Sequence, residues 1–136
     1  DSSLVTNFRD SLESLIGEGI DLLFCNEEEA LSWAKTDRID IAVTSLREIA
    51  KEAYITLGAK GSISISGTEI SEVNSEKVIP VDTNGAGDMY AGACLYARSK
   101  GLDGKSAAAF GNKCAASIVQ EYGARLDNVE KYRRLL

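Results

Sequence analysis

The chain contains no histidine. That absence removes Ser-His-Asp and Cys-His nucleophile arrangements, together with the usual zinc and iron ligands. Cysteine is scarce as well: Cys25, Cys94 and Cys114 are odd in number and far apart, without Cys-x-x-Cys spacing. Neither a disulfide framework nor a zinc site is suggested, and buried free thiols are expected. Apolar residues never run for the roughly 18 positions that a membrane span needs. Asp1 to Thr6 lack the basic and apolar regions of a signal peptide, so the expectation is a cytoplasmic protein with no membrane partner. Basic residues are the minority, 15 Lys and Arg against 21 Asp and Glu for a net charge of -6. No Lys/Arg cluster interrupts that balance, which argues against nucleic acid as a partner. Any chemistry must rest on carboxylates, amides, Lys/Arg and backbone groups.

What is present suffices for one core. The 136 residues are 44% hydrophobic and 26% charged, a balance that folds without metals or disulfides, so residues 1–136 are expected to form a single domain. Leu4, Val5, Phe8, Leu12, Leu15 and Ile16 recur at helical spacing, with Ser2 or Ser3 to cap the start and Gly17 and Gly19 to stop it. Leu22-Leu23-Phe24-Cys25 is a short apolar run bounded by Asp21 and Asn26, as in a parallel strand covered on both faces. Helices are expected from Glu27 to Lys35 and from about Asp40 to Lys51, then a strand over Ala53–Leu57. Ser62-Ile63-Ser64-Ile65-Ser66 alternates with period 2, and Gly67-Thr68 turns the chain towards Glu69-Ile70-Ser71. Val78-Ile79-Pro80-Val81 reads as a strand leading into a glycine-rich run. Ala-rich helices follow over Met89–Lys100 and Lys105–Tyr122, and a last one from Asp127 to Leu136. Strands alternating with helices imply an α/β fold, a mostly parallel sheet with helices on its faces and antiparallel strands at one edge.

The glycine-rich run is Asp82-Thr83-Asn84-Gly85-Ala86-Gly87-Asp88. Between a strand and a helix, the amides of Gly85, Ala86 and Gly87 can become the unsatisfied donors of a helix N-terminus, which attract anions. Two glycines let a phosphate approach the backbone, and the helix dipole stabilises the oxygens of a transferring phosphoryl group. A carboxylate directly after this cradle, Asp88, is placed to accept the proton of a hydroxyl attacking phosphorus. The plainer alternative is that Asp82 or Asp88 caps a helix and the glycines make a turn. The run is neither a Walker A loop, since no Gly-Lys-Ser/Thr follows, nor a Gly-x-Gly-x-x-Gly dinucleotide fingerprint.

With Met89-Tyr90-Ala91-Gly92 after it, the run resembles the C-terminal signature of the ribokinase/PfkB family of carbohydrate and nucleoside kinases. The resemblance implies a ribokinase-like three-layer α/β/α sandwich, of which this chain is the C-terminal, ATP-binding and catalytic part. The N-terminal substrate and lid part is then absent, and a homodimer belongs to the full-length parent. It assigns the catalytic base to Asp88 and the anion hole to Gly85, Ala86 and Gly87, with ATP and Mg²⁺ as cofactors and a small sugar or nucleoside as acceptor.

Three further places carry the resemblance. Asn26-Glu27-Glu28-Glu29 is similar to the family's Asn-x-x-Glu motif, in which the equivalents of Asn26 and Glu29 organise magnesium and phosphates; a capped helix with an acidic first turn explains the same residues. Thr56-Leu57-Gly58-Ala59-Lys60-Gly61 is similar to the segment lying against ATP, with Thr56, Gly58 and Gly61 near the nucleotide, or it is a strand-end turn. Asn112 corresponds to a position bordering adenine, with Ala115 and Ala116 as small neighbours, although an Ala-rich face is ordinarily core packing. The resemblance also implies a monovalent cation, K⁺, held by Asp82 and Asn84 with carbonyls around Ile118, Glu121 and Gly123. Asparagine at position 84 is similar to adenosine-kinase-like members. The competing expectation is a noncatalytic nucleotide-binding or structural fragment, inactive alone. Trp33 and the tyrosines are expected in the core or at its rim rather than as base-stacking platforms.

Overall fold

A computed structural model describes residues 10–126 and 128–135. Residues 10–16 form helix α1, the later part of the first expected helix; its earlier part, with Leu4, Val5 and Phe8, lies outside the described residues. Then come β1 (Ile20–Asn26), α2 (Glu27–Ala34), α3 (Ile39–Ile49), β2 (Ala50–Thr56), a 3₁₀ turn (Gly58–Lys60), β3 (Gly61–Ser66), β4 (Glu69–Asn74), α4 (Ala86–Ser99), α5 (Gly104–Ile118) and α6 (Val129–Arg133). The strands form one mixed sheet in the order β1-β2-β3-β4, with β1 parallel to β2 and the remaining pairs antiparallel. Chain length between strands decides this. Two helices carry the chain back from β1 to β2, whereas the turns before β3 and β4 are too short for a crossover.

Period-2 alternation divides the sheet between two helical layers. One face carries Ala53, Ile55, Ile63 and Ile65, packed against Ala30 and Trp33 of α2 and Ala42, Val43 and Leu46 of α3. The other carries Leu22, Phe24, Tyr54 and Val73, packed against Tyr90, Cys94 and Ala97 of α4 and Ala107 and Ala108 of α5. The result is a three-layer α/β/α sandwich with one core on each side of the sheet. Burial keeps the three thiols protonated: Cys25 and Cys94 are pushed up to about 12 and Cys114 to about 11.

The serines of the Ser/Ile alternation in β3 are buried as well as the isoleucines: Ser62 and Ser64 are 1% and 4% exposed. They lie beneath α5, where Gly104 comes so close that a Cβ on it would stand 3.0 Å from Ser64 Oγ. Small side chains on the sheet are what admit the helix. One expectation changes: Val78-Ile79-Pro80-Val81 does not form a strand. Pro80 has no N–H to give a ladder, Ile79 is 86% exposed, and the Val81 amide donates to the Val119 carbonyl at 2.7 Å rather than to a neighbouring strand.

Candidate active site

The C-terminal ends of β1 and β2 are brought level by their parallel register, which pairs Asn26 with Thr56. The Asn-x-x-Glu and Thr-x-Gly-x-x-Gly segments therefore leave the sheet side by side. At the first, Asn26 caps α2: its Oδ1 accepts from the Glu29 amide at 2.8 Å, while the Asn26 amide donates to Glu29 Oε2 at 2.9 Å. This capping box satisfies two helix-end donors at once. The acidic first turn complements the helix dipole. Lys60 reaches across from the second segment, its Nζ 3.5 Å from Glu27 Oε1. Nothing in the sequence pattern pairs those two residues; strand register does.

Helix α4 delivers the glycine-rich run to the same end of the sheet. At its C-terminal end, Arg98 Nη2 meets Glu52 Oε1, near the start of β2, at 2.5 Å. Nearer its start, the Tyr90 ring lies edge-on to Phe24 (6.5 Å between centroids) and to Tyr54 (6.3 Å). Phe24 precedes Asn26 by two residues and Tyr54 precedes Thr56 by two, so α4 runs antiparallel to both strands and opens where they end. Gly111 makes room for this arrangement, since a Cβ there would stand 2.8 Å from the Tyr90 ring.

Gly85 is the N-cap of α4, left-handed at φ 75° and ψ 2°. The Ala86 amide donates to the Thr83 carbonyl at 3.3 Å and the Met89 amide to the Gly85 carbonyl at 2.9 Å. Between them stand the amides of Gly87 and Asp88, in the first turn, where a helix offers no acceptor. Gly87 and Asp88 are both exposed. Of the expected donors Gly85, Ala86 and Gly87, the Ala86 amide has an acceptor within the protein and Gly85 shapes the turn. Asp82 stands behind the cradle. Its Oδ1 accepts from the Asn84 amide at 2.9 Å and its Oδ2 from the Gly123 amide at 3.1 Å. These two donors, Asn84 first, hold the carboxyl below its usual range.

The remaining predicted residues divide. Gly58 is left-handed at φ 59° and faces open space, as close approach of a ligand would require. Gly61 is buried, and a Cβ there would stand 2.1 Å from the Val73 carbonyl oxygen, so strand packing demands this glycine. Asn112 is 5% exposed and its Nδ2 donates to the Val73 carbonyl at 2.9 Å, tying α5 to the edge strand β4. Ala115 is half-buried against the core on that side. Trp33, Tyr54 and Tyr90 are core residues.

No group of three or more acidic, Cys or His side chains that could cage a metal occurs among the described residues. Asn26 and Glu29 nonetheless offer hard oxygen donors at a strand's C-terminal end. That fits Mg²⁺, which keeps several waters and leans on substrate phosphates rather than on an all-protein cage. No helix of the described residues is long and apolar enough to cross a membrane.

Comparison with known proteins places the chain in a family. The chain matches the family described as pfkB family carbohydrate kinase over residues 1–131. It is 30% identical over 131 residues to adenosine kinase of Saccharomyces cerevisiae, covering 85% of this chain and 38% of that protein. The fold superposes on adenosine kinase from Sinorhizobium meliloti with a TM-score of 0.91 and 30% identity, over 100% of this chain and 43% of that one. It also superposes, with a TM-score of 0.79 and 29% identity over 91% of this chain and 41% of the other, on an Escherichia coli protein described as a ribokinase II, in complex with ATP and Mg²⁺. The chain thus spans about two fifths of the length of these relatives. By sequence over nearly its whole length and by fold, this chain belongs to the pfkB family of carbohydrate kinases.

Proposed function

We propose that the protein containing this chain is an ATP-dependent kinase that phosphorylates a hydroxyl of a sugar or nucleoside in the cytoplasm, with Asp88 as general base. The observation that carries this reading is the exposed Asp88 carboxylate in the first turn of α4, beside amides of that same turn. Base and phosphate donors must meet at one point for an oxygen to attack phosphorus, and a helix N-terminus supplies both within two residues.

In this scheme Asp88 takes the proton of the acceptor hydroxyl as the new O–P bond forms and the bond from phosphorus to the ADP oxygen breaks. The first-turn amides, principally those of Gly87 and Asp88, bind the oxygens of the transferring group, with Gly85 holding the turn open. Thr56 and Gly58 lie along the nucleotide at the end of β2. Gly61 supports that turn from behind, and Asn112 and Ala115 border the adenine from α5. Asn26 and Glu29 would hold Mg²⁺, which when bound neutralises phosphate charge. Asp82 and Asn84, with carbonyls of the segment that follows α5, are the candidates for a monovalent cation.

The assay is ATP consumption by the complete protein against adenosine, ribose, fructose and fructose 6-phosphate, beside an Asp88→Asn variant. Loss of a positioned base is expected to lower kcat by about 10² to 10⁴ with ATP affinity largely kept. Turnover unchanged in Asp88→Asn sinks the assignment, and the panel identifies the acceptor. Because the chain covers 38% of the yeast relative, residues 1–136 alone are expected to bind nucleotide weakly and to turn over nothing. Turnover by residues 1–136 alone would contradict that part.

A further inference from the structure

The phosphate cradle is a short, glycine-containing turn preceded by a segment without strand pairing, so its own backbone does little to fix it. What fixes it comes from more than 30 residues further along the chain, just past α5. The Val119 carbonyl accepts from two amides, those of Val81 at 2.7 Å and Asp82 at 3.2 Å. The Asp82 carboxylate spans the gap in the other direction, Oδ2 to the Gly123 amide at 3.1 Å and Oδ1 to the Asn84 amide at 2.9 Å. Beside this bridge, Ala124 closes on Gly85, where a Cβ would stand 2.6 Å from Ala124 Cβ. The 119–124 segment is braced in turn by an ion pair from Glu121 to Lys131 of α6.

We propose that Asp82 is a positioning residue, whose carboxylate clamps the 119–124 segment to the phosphate cradle through the Gly123 and Asn84 amides. The clamp acts one step from the chemistry. Asn84 immediately precedes the Gly85 cap, and the cap sets the direction of the amides at Gly87 and Asp88. A carboxylate suits the task because it is acceptor-only and can take an N–H on each oxygen, which no other side chain of that length does. In this arrangement Asp82 has a duty that needs no bound cation. The proposal rests on the phosphoryl-transfer reading for its consequence, but not for its structural content.

The test uses the complete protein with Asp82→Asn, which keeps shape and turns one acceptor into a donor, and Gly123→Ala, which disfavours the left-handed φ of 93° at the other end of the clamp. Amide hydrogen exchange is followed at residues 84–88 and 121–124, beside kcat, KM for ATP and the thermal midpoint. Each variant is expected to speed exchange in both segments together and to lower kcat by about 10²-fold, the effect of misplacing a site by about 1 Å. KM for ATP changes much less. The double variant is expected to be no worse than the poorer single one, because both break one linkage.

Faster exchange at Asn84 alone, with residues 121–124 unchanged, reduces Asp82 to a local turn cap and overturns the clamp. Additive losses in the double variant overturn it as well. If Asp82 serves only as a ligand to K⁺, replacing K⁺ with choline abolishes turnover in the unmodified protein and Asp82→Asn leaves exchange unaltered, which again refutes the proposal. Should Gly123→Ala fail to fold, Asp82→Asn decides by its exchange pattern. Absence of ATP turnover on every acceptor would sink the kinase reading while leaving the exchange measurement valid, so the two failures are separable.

Discussion

The two glycine turns at the C-terminal end of the sheet, residues 58–61 and 85–87, look alike in sequence and are used differently within themselves. Each has one glycine that the protein's own packing demands and one that faces open space. In the first turn Gly61 is enclosed by β4 and the residue after it, with Val73 O 2.1 Å and Ser75 N 2.7 Å from a Cβ position, while Gly58 meets nothing within 4 Å. In the second, Gly85 is pressed against Ala124 and Gly87 meets nothing within 4 Å. A glycine facing solvent beside a helix N-terminus leaves room for something other than protein. Of the four, Gly61 and Gly85 belong to the fold, and on the proposed function Gly58 and Gly87 are the two left open to the ligand.

The hardest way to break this division is at Gly61. Alanine there must push apart two strands, because every close neighbour is backbone, and it must hold a φ of 113° that L side chains rarely adopt. Strain and overpacking together are expected to remove roughly 2–6 kcal/mol. That is a large part of the ~5–15 kcal/mol a domain usually has. Urea unfolding of Gly61→Ala measures it, and a midpoint equal to that of the unmodified protein would return Gly61 to the ligand side.

Gly85→Ala comes next. The φ of 75° costs about 1–2 kcal/mol for a residue with a Cβ. The clash is with the side chain and Cα of Ala124, at 2.6 and 2.9 Å, in a segment held by a few hydrogen bonds and an ion pair rather than by a strand ladder. A stability loss of about 1–3 kcal/mol is expected. Because the cap sets the direction of the donors at Gly87 and Asp88, kcat should fall by more than that stability loss explains. Equal proportional losses in folded fraction and in turnover would remove the cap's special role.

Half of this was visible beforehand. The apolar run between Asp21 and Asn26 marked β1, and the Asn26 to Glu29 spacing marked both a helix cap and a motif, since one pair of side chains can satisfy a helix end and still face the site. Gly67-Thr68 marked the turn into β4. Hidden were the features that depend on partners remote in sequence. Gly61 is a fold glycine only because Val73 and Ser75 lie across from it. Ser64 is buried where α5 is thin enough at Gly104 to lie close over it. Residues 78–81 have strand composition but form no strand, and the Val81 amide hydrogen-bonds instead to Val119. The Asp82 to Gly123 bond spans 41 residues; local spacing carries no trace of it, and only the family resemblance brings the two segments together, there around a cation.

Gly87→Ala has the smallest expected effect on stability and sharpens the comparison most, because its two readouts should move in opposite directions. A Cβ at Gly87 meets no atom of the protein within 4 Å, and its backbone is ordinary helix rather than left-handed. Replacing glycine by alanine inside a helix gains up to about 1 kcal/mol, less in a first turn. If Gly87 served the fold, the substitution would be neutral or harmful to stability, and turnover would follow the folded fraction. If it is left bare for a phosphate, the added methyl stands where the transferring group approaches the first-turn amides. The unfolding midpoint then rises slightly while kcat and nucleotide affinity fall. A stabilised variant with undiminished turnover would mean that the open space beside Gly87 is not where the phosphate sits, and the donors would have to be sought elsewhere on the first turn of α4.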